Sequence, residues 1–320
     1  MSRPLLILLL FCGLFVSCNS GDKLERTISK IEVDLVVERF DQAFANATPE
    51  DLPLLKETYP FMFSRRFNDS VWINRMQDTI NQQLSNEVEK THGDFGETEL
   101  EIEDLFKHLK YHYKAFKVPR VITVTNYVDY RNSTIVTDSI VLVALDNYLG
   151  SDHVFYESIH QYVANSLIPE QILPDLAAQY AMKNIYQEQR KTLLDEMIFY
   201  GKILYFKDVM LPTMSDERKI GYSKDELGWA QANEESMWQY FIERELLYST
   251  DNKLPGRFIN AAPFTKFNLE LDADSPGRLG QYIGWQIVRA YANNNKGSLQ
   301  DILTLDPETL FNNSKFKPKK

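Results

Sequence analysis

Apolar positions in the stretch Leu193–Phe206 recur with helical spacing, and they cover nearly every side of the helix that this spacing predicts. Such a helix is expected to be buried over most of its surface. Three ionisable side chains interrupt the apolar pattern, namely Asp195, Glu196 and Lys202. An unpaired charge is costly inside a protein, so each of them must be paired, hydrogen-bonded or part of a functional site.

The remaining chain shows short runs of β-branched residues in its first half and helical patterns elsewhere. The predicted strands are residues 31–39, 121–125, 134–136 and 139–146. The predicted helices are one that contains Phe40 and Phe44 and those at residues 69–89, 97–116, 155–166, 174–188, 189–206, 224–247, 277–293 and 298–304. The fold class expected from this order is α+β and predominantly helical, with a small antiparallel sheet followed by a helical region.

Composition narrows the range of functions. The 320 residues are 44% apolar and carry a formal net charge of −10, which argues against a nucleic-acid partner because phosphate binding needs concentrated Lys and Arg. No internal repeat and no convincing linker divides the chain. Residues 29–320 are therefore expected to form a single globular domain.

The first residues have the features of an export signal. Arg3 precedes an apolar run, Leu5–Val16, that is too short to span a bilayer comfortably, and Ser17-Cys18 follows. The segment before Cys18 resembles the lipobox of bacterial lipoproteins, although an uncleaved signal anchor is the alternative. We expect residues 1–17 to be a lipoprotein signal peptide and residues 18–28 to be a lipidated tether, polar and flexible over residues 19–23. Lipid on Cys18 would then hold the protein in the membrane of the cell envelope, facing the periplasm.

Two histidine pairs have spacings that could bind a metal. His108 and His112 are four residues apart on a predicted helix, but no third ligand accompanies them. His153, Glu157 and His160 would share one face of a helix, which suits zinc or copper, although a solvated polar face explains them equally well. No motif for a catalytic nucleophile or for phosphate binding is present.

Acidic residues provide the other candidate site. Three carboxylate pairs could converge with arginines as counter-ions: Asp195 with Glu196, Glu234 with Glu235, and Asp272 with Asp274, beside Arg257, Arg278 and Arg289. Networks of this kind more often hold helices in register than perform chemistry. The candidate cleft consists of Asp195, Glu196, Tyr200, Glu234, Glu235 and Arg278.

Several long phrases, in the same order, resemble the GldB family of gliding motility-associated lipoproteins of Bacteroidetes. They are residues 193–206, 221–229, 233–251 and 257–295, and the resemblance is densest from Asp146 to Pro318. What it implies is a cell-envelope lipoprotein required for gliding motility, with other envelope motility proteins as its partners.

The family is similar in layout to zinc peptidases that carry the H-E-x-x-H motif. Carried over to this sequence, the two histidine ligands fall on Asp195 and Phe199, the general base on Glu196, and the third ligand on Glu234 or Glu235. Phe199 cannot bind zinc. The resemblance thus implies a zincin-like layout with a degenerate helix, a pseudo-metallopeptidase that uses no cofactor and serves as an interaction or scaffold component.

Two other functions stay open at this stage. One is a metal-dependent, peptidase-like hydrolase that uses Glu196, with a metal held by an atypical set drawn from Asp195, Glu234, Glu235, His153 and His160. Such carboxylate-rich sites favour Mg²⁺ or Ca²⁺ over zinc. The other is a glycan-binding module that uses Trp229, Trp238 and Trp285, although indoles at these helical positions more often belong to the core.

Overall fold

The computed structural model describes residues 20–261, 267, 272 and 274–319, with side chains from residue 23 onward. The predicted signal peptide and Cys18 lie outside these residues. Within the described part of the chain, no helix is both long and apolar enough to cross a membrane.

Four short strands form one mixed sheet in the order β1-β2-β4-β3. They are β1 (Val37–Arg39), β2 (Arg120–Val124), β3 (Thr134–Val136) and β4 (Ile140–Ala144). Strand β2 pairs parallel with β1 and with β4, and only β3 and β4 pair antiparallel. The prediction of an antiparallel sheet is therefore wrong for two of the three pairings. A short turn joins β3 to β4, whereas β1 and β2 are separated by a long helical crossover, which allows parallel pairing.

Helices account for most of the structure, as predicted. Those before and within the sheet region are α1 (Ser20–Ile28), α2 (Phe40–Ala45), α3 (Leu52–Thr58), α4 (Asp69–Gln77), α5 (Thr79–His92) and α6 (Gly96–His112). Those after it are α7 (Gln161–Ala164), α8 (Ile172–Asn184), α9 (Leu193–Met210), α10 (Asp216–Ile220), α11 (Lys224–Ala232), α12 (Glu234–Glu243), α13 (Leu254–Phe258), α14 (Leu279–Asn294), α15 (Leu299–Thr304) and α16 (Pro307–Ser314).

Two long predicted helices are each divided in two. The predicted helix at 69–89 is interrupted at Asp78, where the backbone is extended. The Asp78 side chain caps α5 by accepting a hydrogen bond from the backbone amide of Asn81. The predicted helix at 224–247 is interrupted at Asn233, which ends α11 and precedes α12. The apolar spacing runs through both interruptions, and hydrophobic periodicity alone therefore did not locate them.

The predicted helix at 155–166 is largely absent. Residues Val154–Tyr156 form a single 3₁₀ turn, and α7 is only one turn long. The predicted tether also differs from the structure, because Ser20–Ile28 is helical. Ile28 is buried and the Glu25 carboxylate lies 3.2 Å from His108 Nε2 on α6. Helix α1, which covers most of the predicted tether, therefore packs against the domain.

Helix α9 is buried on most sides, as its apolar pattern predicts, and it contributes to two hydrophobic clusters. Ile203, Phe206 and Met210 pack in the cluster that includes α6, α8 and one face of the sheet. Residues from Leu193 to Ile198 pack in the cluster built on α14. The other face of the sheet is covered by α2, α3 and α4.

Candidate functional site

Asp195 lies in the first turn of α9, where it completes a capping box with Thr192. Its carboxylate accepts hydrogen bonds from the backbone amides of Lys191 and Thr192, each at 2.9 Å, and its own amide donates to Thr192 Oγ1 at 3.1 Å. This arrangement satisfies amide groups that the helix start leaves free. The Asp195 side chain is thus used to begin the helix.

Glu196 is bound by an arginine from the preceding loop. Arg190 Nε donates to Glu196 Oε1 at 2.9 Å, and Arg190 Nη2 forms a second, shorter contact with Oε2. The same guanidinium lies 3.7 Å from the centre of the Phe199 ring and 5.5 Å from that of Tyr200. The Phe199 ring, which the predicted zincin-like layout places at a histidine-ligand position, is therefore half of a cation–π contact.

Glu234 occupies a different part of the molecule, at the start of α12. Its side chain is fully buried, and it accepts hydrogen bonds from the Tyr282 hydroxyl at 2.8 Å and from the Lys319 amide at 3.0 Å. Burial, followed by the adjacent Glu234 carboxylate, raises the pKa of Tyr282. Glu235 is half-buried and forms no ion pair with any described residue. The hydrogen-bond partners of Glu234 are not those of Asp195 or Glu196.

The two histidines of the atypical ligand set are also separately engaged. His153 Nδ1 accepts a hydrogen bond from the Phe155 amide at 3.3 Å, and its Nε2 lies 3.4 Å from a Glu87 carboxylate oxygen. His160 is exposed and stacks on Tyr162, with ring centres 5.4 Å apart. Because α7 begins only after His160, these histidines do not share a helix face, and that prediction is wrong. Across residues 20–261 and 274–319, no group of three or more His, Cys, Asp or Glu side chains is arranged to hold a metal ion.

Arg278 precedes α14 and belongs to a third location. Its backbone is left-handed, with φ of 59°, and its Nη1 donates to the Ile220 carbonyl at 3.0 Å. Gly221 makes this approach possible, because a Cβ there would lie 2.8 Å from Arg278 Nη1. The predicted cleft is therefore dispersed: Asp195, Glu196 and Tyr200 lie together at the start of α9, but Glu234 and Arg278 do not join them.

Asp175 and Lys207 have pKa values shifted by burial, and the sequence indicated neither of them as a site residue. The Asp175 carboxylate accepts hydrogen bonds from the Tyr148 hydroxyl at 2.9 Å and from Gln171 Nε2 at 3.2 Å. Lys207 Nζ donates to the Lys219 carbonyl at 2.7 Å. Burial raises the pKa of Asp175, and burial lowers the pKa of Lys207 to about 8, with the opposite charge of each acting against these shifts.

The charges of Asp175, Lys207 and Arg278 act on one another, and they lie on α8, on α9 and just before α14. Interacting charges inside a protein help to fix the relative positions of the helices that carry them. Ionisable groups with shifted pKa values also mark active sites. Here, however, the carboxylate, the ammonium group and the guanidinium group are each hydrogen-bonded to a neighbouring residue of the same domain.

A second network links α9, α10 and α14. Arg289 donates to Asp208 through Nε and Nη2, both at 2.7 Å, and to Asp216 through Nη1 and Nη2, both at 2.8 Å. The Trp285 indole also donates to Asp208, at 2.8 Å. The hydrogen bonds from Arg289 lower the pKa of Asp216. Arg289 is thus a counter-ion, as predicted, but its partners are not the predicted carboxylates.

One sequence signal could have identified these networks. Lys207 and Asp208 continue the buried face of α9 just beyond the stretch at 193–206, and Asp175 follows Pro174 within an apolar helix. A charged residue in such a setting needs a partner, whichever partner the fold supplies. The three tryptophans considered for a glycan lie in or against the hydrophobic core: Trp285 is fully buried, Trp238 packs against Phe311 and Phe316, and Trp229 borders the same cluster.

Comparison with known proteins gives one match. The family model described as gliding motility protein GldB matches residues 21–318 of the chain. No curated protein sequence and no solved structure matches the chain.

Proposed function

Because this chain belongs to the GldB family of gliding motility proteins, we propose that it serves gliding as a non-catalytic interaction or scaffold component of the motility machinery. Involvement in gliding follows from the family. The mode of action is our proposal, and it concerns binding to other envelope proteins without bond-breaking chemistry.

The observation that carries the proposal is the use made of the candidate catalytic groups. Asp195 caps a helix, Glu196 is held by Arg190, and Glu234 is buried against Tyr282. A general base must reach a substrate proton, and a metal ligand must keep a lone pair directed at the ion. Carboxylates engaged in these contacts instead stabilise the helices that carry them.

The proposal includes the lipid anchor. Residues 1–17 would be removed as a signal peptide, and acylated Cys18 would attach the domain to the envelope membrane on its periplasmic side. Helix α1 begins at Ser20, two residues after the anchor, and packs on α6. The globular domain would therefore be held close to the membrane, where other motility proteins of the envelope can bind it.

The zincin-like layout stays a prediction. Its degenerate helix would be α9, with Asp195 and Phe199 at the former ligand positions, and the domain would be a pseudo-metallopeptidase. The hydrolase alternative has no support, because Asp195, Glu235, His153 and His160 are not assembled into a ligand set among the described residues.

Genetic complementation tests the non-catalytic role. A strain lacking the gene should recover full gliding when it expresses the double variant Asp195→Asn/Glu196→Gln. Asparagine retains the oxygen that caps α9, and glutamine keeps the size of Glu196 while removing the charge that a general base needs. Gliding speed and protein abundance should both be measured, with the wild-type gene as the control.

Failure of a normally abundant double variant to restore gliding would contradict the non-catalytic role. Elemental analysis of the full chain, purified in detergent without chelator, provides a second test. A stoichiometric metal that is lost in Asp195→Ala would contradict the non-catalytic role and favour the hydrolase alternative instead.

A further inference from the structure

A polar cleft of about 430 Å³ lies between α2 and α5. It is lined mainly by amide and carboxylate side chains, and Met76, Val88 and Ala45 supply its few apolar walls. The polar lining consists of Asp41, Gln42, Asn46, Asn81, Gln82, Ser85, Asn86 and Glu89. None of these residues belongs to the ionic networks around α9.

Asn81 is the unusual residue of this cleft. It is only 3% exposed, yet its Oδ1 atom is buried without a hydrogen-bond partner. Leaving a buried polar atom unpaired is costly, so such atoms are rare unless a ligand or water satisfies them. A half-turn about χ2 exchanges the oxygen and nitrogen ends of the amide, and either end can then serve the cleft.

Three of the five amide side chains that line the cleft donate hydrogen bonds within the protein. Gln42 Nε2 donates to Glu89 at 2.8 Å, Asn46 Nδ2 donates to the Gln42 carbonyl at 2.9 Å, and Gln82 Nε2 donates to the Met76 carbonyl at 3.2 Å. Each of these side chains keeps its carbonyl oxygen available as an acceptor. The cleft therefore presents acceptors in excess of donors.

The cleft also carries a negative charge. The Asp41 carboxylate is neutralised by Arg39, which donates to both of its oxygens at 3.0 and 2.7 Å. Glu89 accepts the amide of Gln42 and forms no ion pair with any residue in the described part of the chain. One uncompensated negative charge thus lies among acceptor oxygens.

From these hydrogen bonds and charges we propose that the cleft binds a guanidinium group. A guanidinium is a planar cation that offers five N–H donors and no acceptor, which complements a cleft rich in acceptors and singly negative. The group could belong to a free small molecule or to an arginine side chain of a partner protein. This inference stands apart from the non-catalytic role proposed above, because it depends only on the cleft between α2 and α5.

Titration with n-butylguanidinium, monitored by NMR or calorimetry, tests the proposal on the full chain in detergent. We expect saturable binding that weakens as salt is added, since the attraction is electrostatic. Glu89→Gln should weaken binding roughly two- to fivefold, because the exposed Glu89 loses its charge and ion pairs at the surface are weak. Glu97→Gln, an exposed substitution outside the cleft, is the matched control and should leave binding unchanged.

Asn81→Leu separates ligand binding from folding. Leucine has nearly the same size as asparagine and removes the unpaired oxygen, so the unfolding midpoint should be unchanged or raised while n-butylguanidinium binding falls about tenfold or more. The neutral, equally shaped n-butylurea should not bind. Equal binding of n-butylurea, or no saturable binding of n-butylguanidinium to the wild-type protein, would overturn the proposal.

A peptide titration distinguishes an arginine of a partner protein from a free small molecule as the source of the guanidinium group. The capped tripeptide Gly-Arg-Gly should bind tighter than n-butylguanidinium if the site recognises an arginine of a partner protein, and more weakly if the ligand is a free small molecule. Both rankings require the same guanidinium contact and the same sensitivity to Glu89→Gln. Binding of the peptide that is insensitive to Glu89→Gln would place it elsewhere and count against the cleft.

Discussion

At the residue scale, the fold is marked by charged side chains inside apolar helices. Lys202 is fully buried on α9, and its Nζ donates to the carbonyl of Leu305 at 2.6 Å. Burial lowers the pKa of Lys202 to about 8, while the more distant Asp306 raises it. A single carbonyl does not replace the hydration of an ammonium group, so the charged form is held at a cost.

The lowered pKa predicts how stability depends on pH. Between pH 8 and about 9.5 the unfolded chain, with an ordinary lysine pKa, binds more protons than the folded chain. The free energy of unfolding of the wild-type protein should therefore rise with pH in this window, by up to about 1 kcal/mol per pH unit from Lys202. The free energy of unfolding of the Lys202→Met variant should rise less steeply with pH. Urea unfolding of both proteins at pH 8.0, 8.75 and 9.5 measures the two slopes.

Lys207, whose pKa is also lowered to about 8, is still present in the Lys202→Met variant. The free energy of unfolding of this variant should therefore still rise with pH, but less steeply. Above pH 10 the buried tyrosines act in the opposite direction, because burial raises their pKa values, and the window stops below that point. Parallel slopes for the wild-type protein and Lys202→Met would show that Lys202 titrates normally in the folded state.

At the element scale, the contact between α9 and α14 organises the second half of the chain. The two helices cross where Gly201 faces Gly284. A Cβ at Gly284 would lie 1.8 Å from the Met197 carbonyl oxygen, and one at Gly201 would lie 2.4 Å from the Gly284 carbonyl. Both clashes involve backbone atoms, which no side-chain rearrangement can relieve.

Gly284→Ala should therefore destabilise the protein by roughly 3 kcal/mol or more, because α14 must move away from α9. Gly228→Ala is the matched control: this glycine also lies within a helix, and a Cβ there meets no atom within 4 Å. That substitution should stabilise the protein by about 0.5–1 kcal/mol through helix propensity. Urea unfolding of the two variants measures both effects, and equal stabilities would refute the close crossing.

At the scale of the whole molecule, α9 joins two hydrophobic clusters and the N-terminal helix α1 brings the domain close to the proposed lipid anchor. The first cluster contains sheet residues such as Val141 and Val143, and the second is built on α14. Because α9 contributes to both, the sheet and the C-terminal helices share one buried element. Under the proposed anchoring, the position of the domain at the membrane would depend on Cys18, two residues before the start of α1.

Cys18→Ser should release the protein from the membrane fraction and abolish gliding, since a thiol is required for acylation. Cys12→Ser, within the predicted signal peptide, is the matched control and should leave both properties intact. Cell fractionation with lipid labelling measures the anchor, and motility assays measure the function. Continued membrane attachment of Cys18→Ser would indicate an uncleaved signal anchor.

Much of the architecture followed from sequence pattern alone. Apolar spacing predicted the buried helix at 193–206, and β-branched runs located β2, β3 and β4, because these signals reside in neighbouring residues. Sequence phrases also indicated the family. Pattern did not give the parallel pairing of β1 with β2, since that depends on how a long helical crossover returns the chain.

The sequence by itself determined which side chains needed partners, and only the tertiary structure decided which partners they received. Burial of an acidic or basic group can be inferred from the apolar residues around it, and that inference held for α9. The choice of Asp208 for Arg289, or of Tyr282 for Glu234, joins residues 81 and 48 positions apart. Such pairings depend on the packing of helices in three dimensions, which local periodicity does not encode.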